Sequence, residues 1–247
     1  MARTNKDRRA YICTTPQPNV LNQAAFEALA WVEIGNVGAI GESGTQTNVV
    51  SYDELATDVT QKGKGISNAG DPTIECARNP TDPGQVALRA AAKTNFNYAF
   101  KFEDKDAPDA DHTNSIYYNR GLVTGPTRPN GRNEDFILEV FTLALNQREI
   151  VVDPVATVAP TNTLLPAIAG IAQVGQVLTA LPGEWTGEPF FAYQWKLSGS
   201  DIPGATGKTY TPVVGDIGSD LAVAVTASNP AGNVTKTSGA TADVIAA

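Results

Sequence analysis

One histidine, two cysteines and an excess of acid over base are the parts from which any catalytic centre would have to be built: 247 residues carry 18 Lys and Arg against 26 Asp and Glu. Hydrolytic triads and most catalytic metal sites need an imidazole held by a partner. His112 lies in EDKDAPDADHTN (103–114), a polar, acidic run with no apolar neighbour to orient the ring, and reads as a solvated loop residue. The same run supplies Asp104, Asp106, Asp109 and Asp111, whose two-residue spacing matches the opening of a calcium loop. The glycine at the sixth position and the closing glutamate are absent and Pro108 intervenes, so a solvated hairpin tip or a charged subunit contact is the simpler reading.

Other candidate motifs fail on spacing. KGKGIS (62–67) lacks the GxxxxGK[ST] pattern of a phosphate loop and has no apolar strand directly before it. GESGT (41–45) is a turn, not a nucleophile elbow, and Asn233-Val-Thr235 spells a glycosylation acceptor that matters only in a secreted chain. Cys13 and Cys76, 63 positions apart with no CxxC, read as small buried hydrophobes in a chain made in a reducing compartment. Arg120, Arg128 and Arg132 sit in YYNRGLVTGPTRPNGRNEDF (117–136); with Glu134 and Asp135 next to them, they suit pairing with carboxylates of a neighbouring subunit better than phosphate. No catalytic, metal-binding or cofactor-binding residue is assigned, no cofactor is expected, and the chain does not read as an enzyme.

The elements that position these residues are mostly strands. Apolar residues make up 42% and charged ones 18%, with 22 glycines, 16 prolines and abundant Thr, Asn and Val, a mixture favouring short strands and turns. At roughly 150 residues per domain, the length suits two ordinary domains. DPVATVAPTNTLLP (153–166) has three prolines and no charge after Asp153, so the reading places a tail-end of one domain at 153, a linker at 154–165 and a second domain at 166–247. Residues 1–153 hold 15 basic and 20 acidic side chains. No apolar run reaches membrane-spanning length, and MARTNKDRRAYICTTP meets its proline before a signal-like hydrophobic stretch forms, so neither membrane insertion nor secretion is expected.

In the first part, residues 28–37, 95–102, 115–123 and 135–145 read as strands. In DFILEVFTLAL (135–145), Phe136, Leu138 and Val140 share one face while Ile137, Phe141 and Leu143 share the other, so both faces must be covered by protein. One helix is expected: Asp82 can cap it, Pro83 suits its first position, and Val86, Ala90 and Lys93 follow at helical spacing. Residues 38–70 read as a long polar loop, a type that is usually functional. In the second part, GQVLTAL, PFFAYQWKL, KTYTPV, SDLAVAVTASN and GNVTKTSGATADVIA are short strands between Gly, Pro and Asn turns, with Phe191, Tyr193 and Trp195 on one face and Leu221, Val223 and Val225 alternating likewise. This is the pattern of a sandwich of two half-buried sheets.

Residues 8–153, especially RRAYICTTPQP (8–18), FEALAWVEIGNVGAIGESG (26–44), KGISNAGDP (64–72), TDPGQVALRAAAK (81–93) and YNRGLVTGPTRPNGRNEDF (118–136), resemble the major tail tube proteins of long-tailed, non-contractile bacteriophages of the siphovirus type. Residues 166–246 resemble a bacterial and phage Ig-like module: Trp195 matches its core tryptophan, Ile202-Pro203-Gly204-Ala205 the turn after it, and Asp216-Ile217-Gly218 the corner before the Leu221 strand.

The resemblance implies a mainly β chain: an N-terminal β-sandwich or barrel tail-tube domain with one flanking helix, then an Ig-like β-sandwich. It implies a structural virion protein, made in the host cytoplasm. Six copies form a ring with a continuous inner β-barrel, and rings stack into a tube whose length a tape-measure protein, a tail terminator and the baseplate set. The stretch 38–70 is then the segment expected to order against the next ring. DNA, with one charge per about 1.7 Å of duplex axis, transits the lumen without specific binding if the wall is neutral or acidic. The Ig-like module projects outward, where avidity could support weak contact with host-surface glycans. The rival is a surface adhesin or head-decoration protein carrying an Ig-like glycan-binding module.

Overall fold

The computed structural model describes residues 7–55, 58–129 and 131–247; the N-terminal MARTNK, Ala56 and Thr57 of the polar stretch and Asn130 of the arginine loop lie outside them. Strands take up 44% of the chain and helices 7%, so the fold is mainly β, in antiparallel sheets. Two compact units emerge: Met1–Asp106 with Asn114–Pro154, and Ala107–Thr113 with Val155–Ala247. Among the described residues no helix is long and apolar enough to cross a membrane.

The first unit contains β1 (Arg9–Ile12), α1 (Gln23–Glu27), β2 (Val32–Glu33), β3 (Val37–Ile40), β4 (Gln46–Tyr52), β5 (Gln61–Asn68), β6 (Thr73–Ala77), α2 (Pro83–Ala91), β7 (Tyr98–Glu103), β8 (Ile116–Thr127), β9 (Leu138–Leu145) and β10 (Ile150–Val152). Its main sheet runs β2-β1-β7-β8-β9-β6-β3, and β10 pairs with the beginning of β8. Alternation sends Ile12, Phe100, Phe102, Phe141 and Leu143 to one face, where they form a core with Leu88 of α2. On the other face Phe26 of α1 stacks on Tyr118 at 5.1 Å between ring centroids, and Trp31 stacks on the same tyrosine at 5.8 Å.

Helix α2 starts as its sequence dictates: the Asp82 carboxylate accepts from the Gln85 N–H at 2.8 Å, and Pro83 follows it. The buried stripe differs from the expected one. Gly84, Gln85, Leu88 and Ala91 are buried, whereas Val86 is exposed. The cause is backbone approach: a Cβ on Gly84 would lie 2.3 Å from the Glu33 carbonyl oxygen, so this side of the helix, not the Val86 side, meets the sheet. A second helix, α1, joins the one expected; its cap, Asn22, accepts from the Ala25 N–H at 2.9 Å. It precedes the expected strand at 28–37, of which only Val32–Glu33 and the first residue of β3 are strand, while Leu29 and Trp31 pack into the small core around Tyr118.

Two further expectations change. The polar stretch 38–70 is not a loop: it holds most of β3 and a two-stranded hairpin, β4–β5, that pairs with no other strand among the described residues. Its polar residues hide strand-forming Val49, Val50 and Tyr52. Strand β9 begins at Leu138, leaving Phe136 and Ile137 exposed ahead of it. Within β9 one face, Glu139, Phe141, Leu143 and Leu145, is buried, and the other is only half-buried.

The second unit contains β11 (Asn162–Leu164), β12 (Ala167–Ala169), β13 (Leu178–Leu181), β14 (Glu184–Trp185), β15 (Phe190–Leu197), β16 (Ser200–Asp201), β17 (Thr209–Tyr210), β18 (Leu221–Asn229) and β19 (Gly232–Thr237). Sheets β12-β13-β17 and β16-β15-β18-β19 enclose a core of Leu178, Ala180, Trp195, Leu221, Val223 and Val225. The Trp195 indole N–H, which burial obliges to find an acceptor, donates to the Gly207 carbonyl at 3.0 Å. Asp216 accepts from the Tyr210 hydroxyl at 2.8 Å and the Val213 N–H at 2.9 Å, tying down the corner before β18. The stretch 154–165 is more structured than an open linker: β11 pairs with β14, and Thr113 N–H to Val155 O (2.9 Å) and Thr157 N–H to Asp111 O (2.7 Å) bind its start to residues 111–113.

Candidate interaction surface

Apart from the His112–Asp109 pair, the residues with chemistry in the sequence take separate partners. Asp104 pairs with Arg8 at 2.8 Å, Asp106 accepts from the Ser115 N–H and hydroxyl, and Asp109 accepts from the Asp111 N–H. Among the described residues no three His, Cys, Asp or Glu side chains gather as a metal-binding group. His112 is better held than its loop context suggested: Nδ1 lies 2.7 Å from Asp109 Oδ1. That hydrogen bond, helped by the charges of Asp109, Glu188 and Asp111, raises the ring's pKa above its ordinary value. Cys13 and Cys76 are buried, free thiols. Burial above all, with Asp82 and Glu139 adding, pushes Cys76 up to about 12, far from a reactive thiolate.

The arginines of the 117–136 loop part company. Arg120 is buried and donates to the Gln17 and Pro18 carbonyls, so it serves the fold and not a subunit contact. The Arg132 N–H is taken by the Asp135 carboxylate at 2.6 Å. Arg128 donates from both Nε and a terminal nitrogen to Glu139 Oε1, at 3.2 and 3.0 Å. Glu139 is completely buried and receives two more guanidinium groups, Arg89 at 3.1 Å and Arg78 at 3.3 Å. A buried carboxylate demands such partners, and three of them leave two positive charges in excess. Sequence reasoning passed over Glu139; a lone charge at an inward position of an apolar strand was the available signal.

Two surfaces of the first unit stay open. One is the β6–β9 part of the sheet face opposite α2, beyond the part that Phe26 and Trp31 cover, where register pairs Thr73 with Thr142, Glu75 with Val140 and Ala77 with Leu138. These positions are half-buried, and Glu75 is the one charged side chain among the six. A cleft of about 570 Å³ over its end is lined by residues including Gly38, Glu75, Ala77, Asp135 and Phe136. The other is the β4–β5 hairpin, whose Val49, Val50, Tyr52 and Ile66 are exposed. An isolated two-stranded hairpin is marginal in water, and apolar side chains on both its faces mark an interaction surface.

No protein-family model matches the chain, and no curated protein matches it.

Proposed function

We propose that the chain is a structural subunit of a phage-type tail tube: six copies of the first unit close a ring, rings stack, and DNA passes through the lumen. The observation that carries this reading is the pair of unfinished sheet surfaces on one unit, a half-buried stretch of sheet face and a hairpin that pairs with no other strand among the described residues. Both are surfaces that further copies of the same chain can complete. The β6–β9 stretch of that face, bearing Thr73, Glu75, Thr142 and Val140, suits a lumen wall, because its one charge is negative and its six positions set no Lys or Arg against a passing phosphate backbone. The hairpin suits the axial contact between rings, where heterologous head-to-tail contacts that do not close generate a filament.

In this reading the second unit is an Ig-like decoration repeated along the tube, where many weak glycan contacts gain avidity. Tape-measure, terminator and baseplate proteins complete the particle. Electron microscopy of the purified chain tests the proposal. Hollow tubes of stacked rings support it, and a chain that stays monomeric at every concentration while binding glycans replaces it with the adhesin reading.

A further inference from the structure

The base of the hairpin and the arginine cluster lie at opposite ends of the same strands. Strand β3 pairs antiparallel with β6, Val37 opposite Cys76 and Ile40 opposite Ile74. The chain leaves for the hairpin after Ile40 and returns at Thr73, so β4–β5 departs from one end of this pair. Arg78 directly follows Ala77, and Cys76 lies opposite Glu139, so the guanidinium groups sit at the other end. Five residues of β6, about 16 Å at 3.3 Å per residue, separate the two.

Each end lacks what the other carries. Residues 53–59 following β4 include Asp53, Glu54 and Asp58, all exposed and without a hydrogen bond or ion pair among the described residues, together with exposed Leu55. At the far end, the side chains of Arg78 and Arg128 are 41% and 60% exposed although both reach Glu139. The terminal nitrogens of Arg78 make no hydrogen bond among the described residues. Beside them stand Phe136 and Ile137, exposed by 81% and 68%, and the Ile137 carbonyl accepts from the Arg78 N–H at 2.8 Å. Of the nearby acids, Asp135 is engaged by the Arg132 N–H. Glu139 thus holds two guanidinium groups at the surface, side by side, with donors to spare for another carboxylate.

We propose that the Arg78–Arg128 rim around Glu139 is a carboxylate-receiving site for the hairpin of a second copy of this chain, which docks Asp53, Glu54 and Asp58 on the rim and packs Leu55 against Phe136 and Ile137. The inference rests on the tail-tube reading and adds to it the receiving surface and the polarity of stacking. Donor and acceptor at opposite ends of one strand pair make the contact head-to-tail, so every added copy presents a new acceptor.

The test uses the full chain in two variants, one with Asp53→Lys, Glu54→Lys and Asp58→Lys, the other with Arg78→Gln and Arg128→Gln, each checked by circular dichroism for an unchanged fold. Arg89 remains on Glu139 in the second variant. Both variants are expected to raise the concentration needed for tube growth at least about tenfold, a change of the size that close charge pairs produce across interfaces. Mixed together, they should join through the one intact pairing into short, capped assemblies and grow no further. Tubes formed equally well by both variants overturn this inference while leaving the tail-tube reading standing. A parent chain that never polymerises overturns both. Variants that fail alone and also fail to pair in the mixture overturn the assigned partnership. If the arginine variant misfolds, the hairpin variant with unaltered tube growth still overturns it.

Discussion

Arg89 donates its Nε to Glu139 Oε2 at 3.1 Å, and through that bond helix α2 is tied to strand β9. The same guanidinium reaches the Asn79 carbonyl at 2.7 Å and the Gln85 side-chain oxygen at 3.1 Å, so one side chain holds the helix, the turn before it and the strand beneath it. Arg128 meets the same carboxylate from a mostly exposed position.

This difference in burial predicts unequal costs. Arg89→Met should destabilise the first unit by about 3 kcal/mol, because a buried carboxylate loses its most enclosed partner. Arg128→Met should cost under about 1 kcal/mol, since exposed pairs are screened by solvent. Amide exchange along β9 measures both, and equal losses would contradict the ranking.

Gly121 admits no side chain. It faces Leu145 across the β8–β9 pairing, and a Cβ there would lie 2.2 Å from the Ala144 carbonyl oxygen. Gly121→Ala should cost about 3 kcal/mol through forced separation of the two strands, read as a lowered urea midpoint of the first unit; an unchanged midpoint is incompatible with this register.

The His112–Asp109 contact predicts a pH window. His112 titrates above its ordinary 6.5 because of its hydrogen bond to Asp109, so its contribution is complete below about 6.5 and is lost as pH rises through the folded value. Asp109 is held below its ordinary 3.8 by His112 and the Asp111 N–H, so its contribution is present above about 3.8 and is lost as pH falls through its folded value. Between these limits the pairing of 111–113 with 155–157 is tightest. Exchange of the Thr113 and Thr157 amides, corrected for intrinsic rate, should be slower at about pH 5.5 than at about pH 8.5, and Asp109→Asn should flatten that difference.

In the second unit, Tyr210 is pushed up to about 12, first by burial and then by its hydrogen bond to Asp216. Tyr210→Phe should remove one late phenolate step from an absorbance titration and cost about 1 kcal/mol. Asp216→Ala strips the partner from both the hydroxyl and the Val213 N–H and should cost more, about 2 kcal/mol. A smaller loss for Asp216→Ala than for Tyr210→Phe would show that the corner is held elsewhere.

Glu75→Lys tests the lumen assignment. If the face containing Glu75 lines the channel, six added cations per ring should make tubes retain duplex DNA in low salt and release it as salt rises. Tubes that ignore DNA in both forms would place Glu75 away from the channel.

Local patterning carried a large share of this protein. The Asp82-Pro83 start of α2, the strand through Phe100 and Phe102, and the inward Trp195, Leu221, Val223 and Val225 follow from capping, strand propensity and period-two geometry, which act between near neighbours in the chain. The hairpin was missed because its strand-forming valines stand among Gly, Ser, Asn and Lys with no buried face to impose alternation. The Val86 stripe misled because only the approach of Gly84 to Glu33 determines which side of α2 is inward. The arginine rim lay further still from sequence reasoning: Arg89 stands 50 positions from Glu139, and Arg120, which looked equivalent to Arg128, was drawn inside by the Gln17 and Pro18 carbonyls more than a hundred positions away. Charge alone does not say which partner an arginine finds; packing decides that, by choosing which carboxylates and carbonyls are taken out of water and must be answered.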